Sequence, residues 1–126
     1  MKKVEISTPN APGAVGPYSQ AVKHGDTLYV SGQLPINPET GKMCEGSIKD
    51  CTRQSLENLK AIVEAAGATM DDIVKTTVFL ADIADFPHAN EVYAEYFNKP
   101  YPSRSAFEVA VLPLNGRIEI EAVVAL

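Results

Sequence analysis

Hydrophobic and polar residues change rhythm several times along these 126 residues. Strict alternation marks the carboxy-terminal part, where Phe107, Val109 and Val111 alternate with Ala106, Glu108 and Ala110, as a half-buried strand requires. Ile118, Ile120, Ala122 and Val124 then alternate with Glu119, Glu121 and Val123, and Pro113 to Gly116 supplies turn chemistry between the two runs. The pattern predicts two strands joined as a hairpin. Near the amino terminus, Val4 to Ser7 reads as a short edge strand. Tyr18 to Lys23 and Thr27 to Gly32 flank His24-Gly25-Asp26 as a second hairpin.

Between these ends the period lengthens. Ile48, Cys51, Ser55, Leu59, Ile62, Val63 and Ala66 recur at helical spacing behind Ser47 and Asp50, a capping-box start, and Gly67 closes the segment. Ile73 to Leu80 is β-branched and apolar and predicts a central strand. Asp85 is the expected cap of a second helix, with Pro87 in its first turn and Phe86, Ala89, Tyr93, Tyr96 and Phe97 as its core stripe. Lys99-Pro100-Tyr101-Pro102 ends it. The order β-β-β-α-β-α-β-β predicts a single α+β domain over residues 1–126, one sheet packed on two helices. The other face of the sheet has no helix left to cover it, which predicts oligomerisation through that face.

Composition narrows the function classes. A net charge of −5 and an acidic pI near 4.9 argue against a nucleic-acid binder, which needs a basic face. Cys44 and Cys51 have no further Cys or His pair at ligand spacing and read as reduced, structural thiols. No run is apolar enough for a signal peptide or membrane span, so the expected location is cytoplasmic. No phosphate-binding loop, dinucleotide fingerprint or nucleophile elbow occurs, and nothing implies a cofactor or metal.

The candidate chemistry is a guanidinium and a carboxylate. Arg104 follows a proline-rich approach and has small neighbours, Ser103, Ser105 and Ala106, that leave room for a ligand. Its fork suits a carboxylate held by two parallel hydrogen bonds. Glu119 lies in an apolar run, and burial against another subunit would raise its pKa toward general acid–base work. If the last two strands pair through their turn, Ala110 faces Glu119 and Arg104 lies roughly 20 Å away at about 3.3 Å per residue. The two would then cooperate only across a subunit boundary. Tyr18, Ser31 and Asn90 are further polar candidates, and the small, polar end of the strand at Ser31-Gly32-Gln33 brings backbone N–H groups near a ligand. His24 and His88 read as turn and surface residues.

With these residues in view, the chain resembles the reactive intermediate deaminase A (RidA, or YjgF) family. The resemblance rests on Pro102-Ser103-Arg104-Ser105, Phe107, Ala110, Leu112 and Ile118-Glu119-Ile120. It extends through Gly16-Pro17-Tyr18-Ser19-Gln20-Ala21, Ser31-Gly32-Gln33, Asn58 to Ile62 and Val74 to Leu80. It implies a chorismate-mutase-like homotrimer with clefts between subunits, and hydrolysis of 2-imino acids such as 2-iminobutanoate and 2-iminopropanoate to 2-oxo acids and ammonia. By the same resemblance Arg104 binds the substrate carboxylate and Glu119 handles the attacking water. Tyr18, Ser31, Gly32, Asn90 and Ala106 would line the pocket. Many members carry cysteine where this chain has Ala106, which bears on thiol regulation more than on deamination. The competing readings are a non-catalytic 2-oxo acid binder and the ribonuclease or translation-inhibitor role attached to the family.

Overall fold

The structure is a computed structural model and describes residues 2–126. Six strands and two helices follow in the expected order: β1 (Val4–Ile6), β2 (Ala21–His24), β3 (Thr27–Gln33), α1 (Ile48–Ala65), β4 (Ile73–Leu80), α2 (Phe86–Tyr96), β5 (Ser103–Glu108) and β6 (Ile118–Ala125). They form one mixed sheet in the order β1-β2-β3-β6-β4-β5. The helix-side face is apolar. Leu28, Val30, Val78, Leu80, Ile118, Ile120 and Val124 from the strands bury against Leu56, Leu59, Ile62 and Val63 of α1 and Ala89 and Val92 of α2. Among the described residues no helix is long and apolar enough to cross a membrane.

The amino-terminal hairpin is present, but its first strand begins at Ala21 rather than Tyr18. The reason is Gln20, whose buried amide donates to the carbonyls of Thr8, Ala11 and Pro12 and accepts from the Thr8 N–H. That side chain organises residues 8–19 as a loop. Helix α1 starts as expected, with Ser47 accepting from the Asp50 N–H and Asp50 accepting from the Ser47 N–H. Gly67 takes the left-handed φ of +83° that ends the helix cheaply. Asp85 does not cap α2 with its side chain. Its carboxylate is held by Arg117 at 3.1–3.2 Å, and the chain enters α2 through a 3-10 turn capped by Asp82.

The carboxy-terminal hairpin is the main correction. β5 and β6 do not pair with each other: β4 lies between them, parallel to β5 and antiparallel to β6. Burial decides this arrangement. β6 buries every second side chain and has partners on both edges, β3 and β4, while five of the six β5 residues are exposed and suit an edge. A parallel pair needs a crossover, and α2 is that crossover. The Asn115-Gly116 turn also departs from expectation. Leu114 and Asn115 take the left-handed φ of 56°, whereas Gly116 sits at −60°. Gly116 is needed for space, since a Cβ there would lie 2.8 Å from Leu34 Cδ2.

The two cysteines are free thiols with sulfurs 2.8 Å apart. Burial, with the Cys44 hydrogen bond adding to it, pushes the Cys51 thiol up to about 12, so Cys51 stays protonated. The α1 start gives a direct test of the local reading. Ser47→Ala removes one half of the capping box and should cost about 1 kcal/mol in denaturant unfolding. Unchanged stability would show that the cap is dispensable.

Candidate active site

Two clefts on different faces of the sheet hold the candidate residues. The first forms where β3 ends beside β6. The register slips between Val30 and Gln33, and this irregularity turns Ser31 and Gly32 toward the face without helices. Gly32 presses on Glu119: a Cβ at position 32 would stand 2.7 Å from Glu119 Oε2. Ser31 donates its hydroxyl to the Ser19 carbonyl at 2.7 Å and its N–H to the Gln20 carbonyl at 2.9 Å. Those bonds tie the strand to the loop that Gln20 shapes, and this loop brings Tyr18 to the cleft. The Tyr18 hydroxyl accepts a long bond of 3.4 Å from the Val15 N–H. The result is an open hollow of about 540 Å³ lined by Tyr18, Ser31, Gly32, Leu34, Leu114 and Glu119. Burial pushes the Glu119 carboxyl above the ordinary glutamate range, and the charge of Glu121, on the same strand face, adds to the effect.

The second cleft lies at the β5 edge of the sheet. Arg104 pairs with Thr76 across the β4–β5 ladder and shares its helix-side face. Its Nη1 donates to Asn90 Oδ1 at 2.7 Å, and its guanidinium carbon lies 4.7 Å from the Tyr93 ring centre and 5.1 Å from that of Phe86. The three ion pairs among the described residues are Lys49–Glu91, Arg53–Glu95 and Arg117–Asp85, so Arg104 has no protein carboxylate. Asn90, Tyr93, Ala94, Tyr101, Pro102 and Arg104 line an open cleft of about 390 Å³. Ala106 shares Arg104's side of β5 but packs half-buried against the core and lines neither cleft.

Arg104 and Glu119 do not meet within one chain. Arg104 is opposite Thr76 and Glu119 opposite Phe79, on the two sides of β4. Two strand spacings across and three residues along give about 14 Å between Cα atoms, not the 20 Å of a hairpin. Their side chains also leave opposite faces, because Thr76 is buried under α2 while Phe79 is on the face without helices. A larger groove of about 680 Å³ runs along α1 past Glu57, Lys60 and Glu64 but contains none of these residues. Its buried amide, Asn58, is committed to the Leu34 and Ile36 carbonyls.

Sequence reasoning assigned Phe86 and Tyr93 to the core, and both in fact touch Arg104. A signal was present. Asn90 is four residues from Phe86 and three from Tyr93, a polar interruption on the same side of α2. Gln20 was also missed, because a glutamine beside a strand carries no pattern of its own.

The raised Glu119 pKa has a stability signature. Its protonated form is favoured in the folded chain, so this contribution is complete below the ordinary glutamate pKa of about 4.3 and is lost as pH rises through the higher folded value. Glu119→Gln, which carries no charge to desolvate, should therefore melt higher than the parent at pH 7. The two curves should converge as pH falls below the ordinary range. A Glu119→Gln protein that melts lower at pH 7 would contradict the assigned burial.

Comparison with known proteins identifies the family. The family model described as endoribonuclease L-PSP matches residues 8–126. A RutC family protein of Pyrococcus horikoshii is 56% identical over 123 residues, covering 98% of this chain and 97% of its own length. The human 2-iminobutanoate/2-iminopropanoate deaminase is 50% identical over 118 residues, covering 94% and 86%. Among solved structures, E. coli TdcF with bound serine superposes with a TM-score of 0.93 at 44% identity, covering 98% of both chains. The chain belongs to the endoribonuclease L-PSP family, which is the YjgF/RidA family.

Proposed function

We propose that this protein hydrolyses reactive 2-imino acids to 2-oxo acids and ammonia, with 2-iminobutanoate and 2-iminopropanoate as representative substrates. The observation that carries the reading is Arg104: a guanidinium with no protein carboxylate, held by Asn90 and open on its remaining edge. Such a fork suits the α-carboxylate common to all these substrates. Half-identity to a human protein of that name supports the substrate class, and a relative that binds serine supports a ligand bearing the same carboxylate.

In this reading the working unit is a homotrimer, and each cleft joins the Arg104 half of one copy to the Glu119 half of the next. The aromatic face without helices, including Phe79 and Phe107 at 5.4 Å, would lie toward the neighbouring copies. Arg104 fixes the carboxylate. The protonated imine is already electrophilic at C2, so it needs no covalent enzyme nucleophile. Glu119 takes a proton from water as its oxygen bonds to C2, giving a carbinolamine. It returns that proton to the amino group, the C2–N bond breaks, and the hydroxyl gives its proton to the Glu119 carboxylate as it becomes the 2-oxo group. Glu119 passes that proton to the departing ammonia, which leaves as ammonium. A raised carboxyl pKa suits these transfers. Tyr18, Ser31 and the Gly32 backbone would border the reacting atoms, with Ala106 behind Arg104. The physiological role is removal of reactive intermediates in the cytoplasm. The family description favours a nuclease as the second reading, which the net charge of −5 disfavours.

Production of the imine by a threonine or serine dehydratase, with oxo acid followed in time, tests the reading. Arg104→Ala should reduce acceleration by about 100-fold or more, the scale expected when substrate positioning is lost. Full acceleration by Arg104→Ala, or none by the parent, would sink it; 2-oxo acid binding without turnover would favour a binder, and RNA cleavage a nuclease. A second experiment addresses the shared cleft. Arg104→Ala and Glu119→Gln chains, refolded together, should recover up to about a quarter of parental activity, because one pairing in four joins two intact halves. Two inactive variants that stay inactive when mixed would overturn the shared cleft.

A further inference from the structure

Arg104 is exposed on an edge strand, where a long side chain has many rotamers to lose before it can grip a ligand. The chain restrains it from α2. Phe86, Asn90 and Tyr93 lie at i, i+4 and i+7, on one side of the helix. Seven residues at about 1.5 Å each put the two rings about 10 Å apart along the axis, which leaves room for one guanidinium between them. Its carbon lies 5.1 Å from one ring centre and 4.7 Å from the other, and Asn90 Oδ1 accepts a hydrogen bond from Nη1. Tyr93 is itself anchored. Its hydroxyl shares a 2.7 Å hydrogen bond with Thr76, the residue directly opposite Arg104 in the β4–β5 ladder, and its ring stacks on Phe97 at 4.4 Å. Burial holds the Tyr93 hydroxyl above its ordinary pKa, so the arginine meets a neutral ring rather than a phenolate.

We propose that Phe86 and Tyr93 are positioning residues: an aromatic clamp on α2 that, together with Asn90, aims the Arg104 fork at a substrate carboxylate. Neither ring need touch the substrate's reacting atoms. A carboxylate in the place of these rings would occupy the fork in the ligand's stead, whereas two rings attract the guanidinium and take none of its N–H donors. Because Asn90 occupies Nη1, the edge bearing Nε and Nη2 is the one offered to the ligand. The clamp also links the ligand-binding group to the core through Thr76, which is buried. The inference rests on the carboxylate-binding role proposed for Arg104 but not on turnover, so binding can test it alone.

The experiment is calorimetric titration of the intact protein with 2-oxobutanoate, alongside turnover of dehydratase-generated imine. Parent, Arg104→Ala, Tyr93→Leu, Tyr93→Phe and Phe86→Leu are compared. Tyr93→Leu should weaken binding by about tenfold and Phe86→Leu by about threefold, on the scale of cation–π contacts. Tyr93→Phe keeps the ring and should retain most of the affinity. KM should rise more than kcat falls in both leucine variants. Equal loss in Tyr93→Phe and Tyr93→Leu would show that the Thr76 hydrogen bond matters and the ring does not. Parental affinity in both leucine variants, or binding by the parent that Arg104→Ala leaves unchanged, would overturn the clamp. If Tyr93→Leu fails to fold, the half-buried Phe86 decides the matter through Phe86→Leu. Binding that follows the clamp without any imine turnover would retire the deaminase reading and leave the clamp standing.

Discussion

Backbone hydrogen bonding along the two edges of β4 governs where the chemistry can occur. On one edge β4 pairs parallel with β5, which carries Arg104; on the other it pairs antiparallel with β6, which carries Glu119. Both registers are set by burial of alternate β4 side chains, Thr76, Val78 and Leu80, against the helices. The pleat then sends the arginine toward α2 and the glutamate the other way. Everything distinctive about the candidate site follows from that division, including its two clefts on one chain.

The environments of the two groups differ in a way that suits their proposed tasks. The guanidinium is exposed and held by neutral partners, two rings and an amide. The carboxylate is sensitive to its surroundings, and here a glycine backbone and a neighbouring glutamate sit close enough to make ionisation harder. Among the described residues no ion pair holds either group in place within the chain. Steric closeness does so at Gly32, and ring faces do so at Arg104.

Much of this was legible in the sequence, because periodicity reports which face of an element is buried. The element order, the Ser47–Asp50 cap and the Arg104–Glu119 candidates all follow from spacing and residue chemistry. Periodicity says nothing about which strand lies beside which. Alternation in β5 and β6 was equally compatible with a hairpin and with two strands flanking a third, and only the lower burial of β5 in the folded chain distinguishes them. The Asn115-Gly116 pair misled for a related reason. The dipeptide suggested turn geometry, while the glycine's role depends on Leu34, which is distant in sequence. Phe86 and Tyr93 were hidden by their type: an aromatic residue on an amphipathic helix is normally core, and both are partly that.

Arg104 and Asn90 lie at the surface, outside the apolar layer that joins the sheet to the helices. Replacing an exposed residue away from the core generally changes stability little. A descendant of this chain could therefore lose its arginine and keep the same sheet and helices. The architecture would continue to be inherited while the chemistry drifted or was replaced. Selection for a folded protein does not preserve that guanidinium; only selection for a chemical task can.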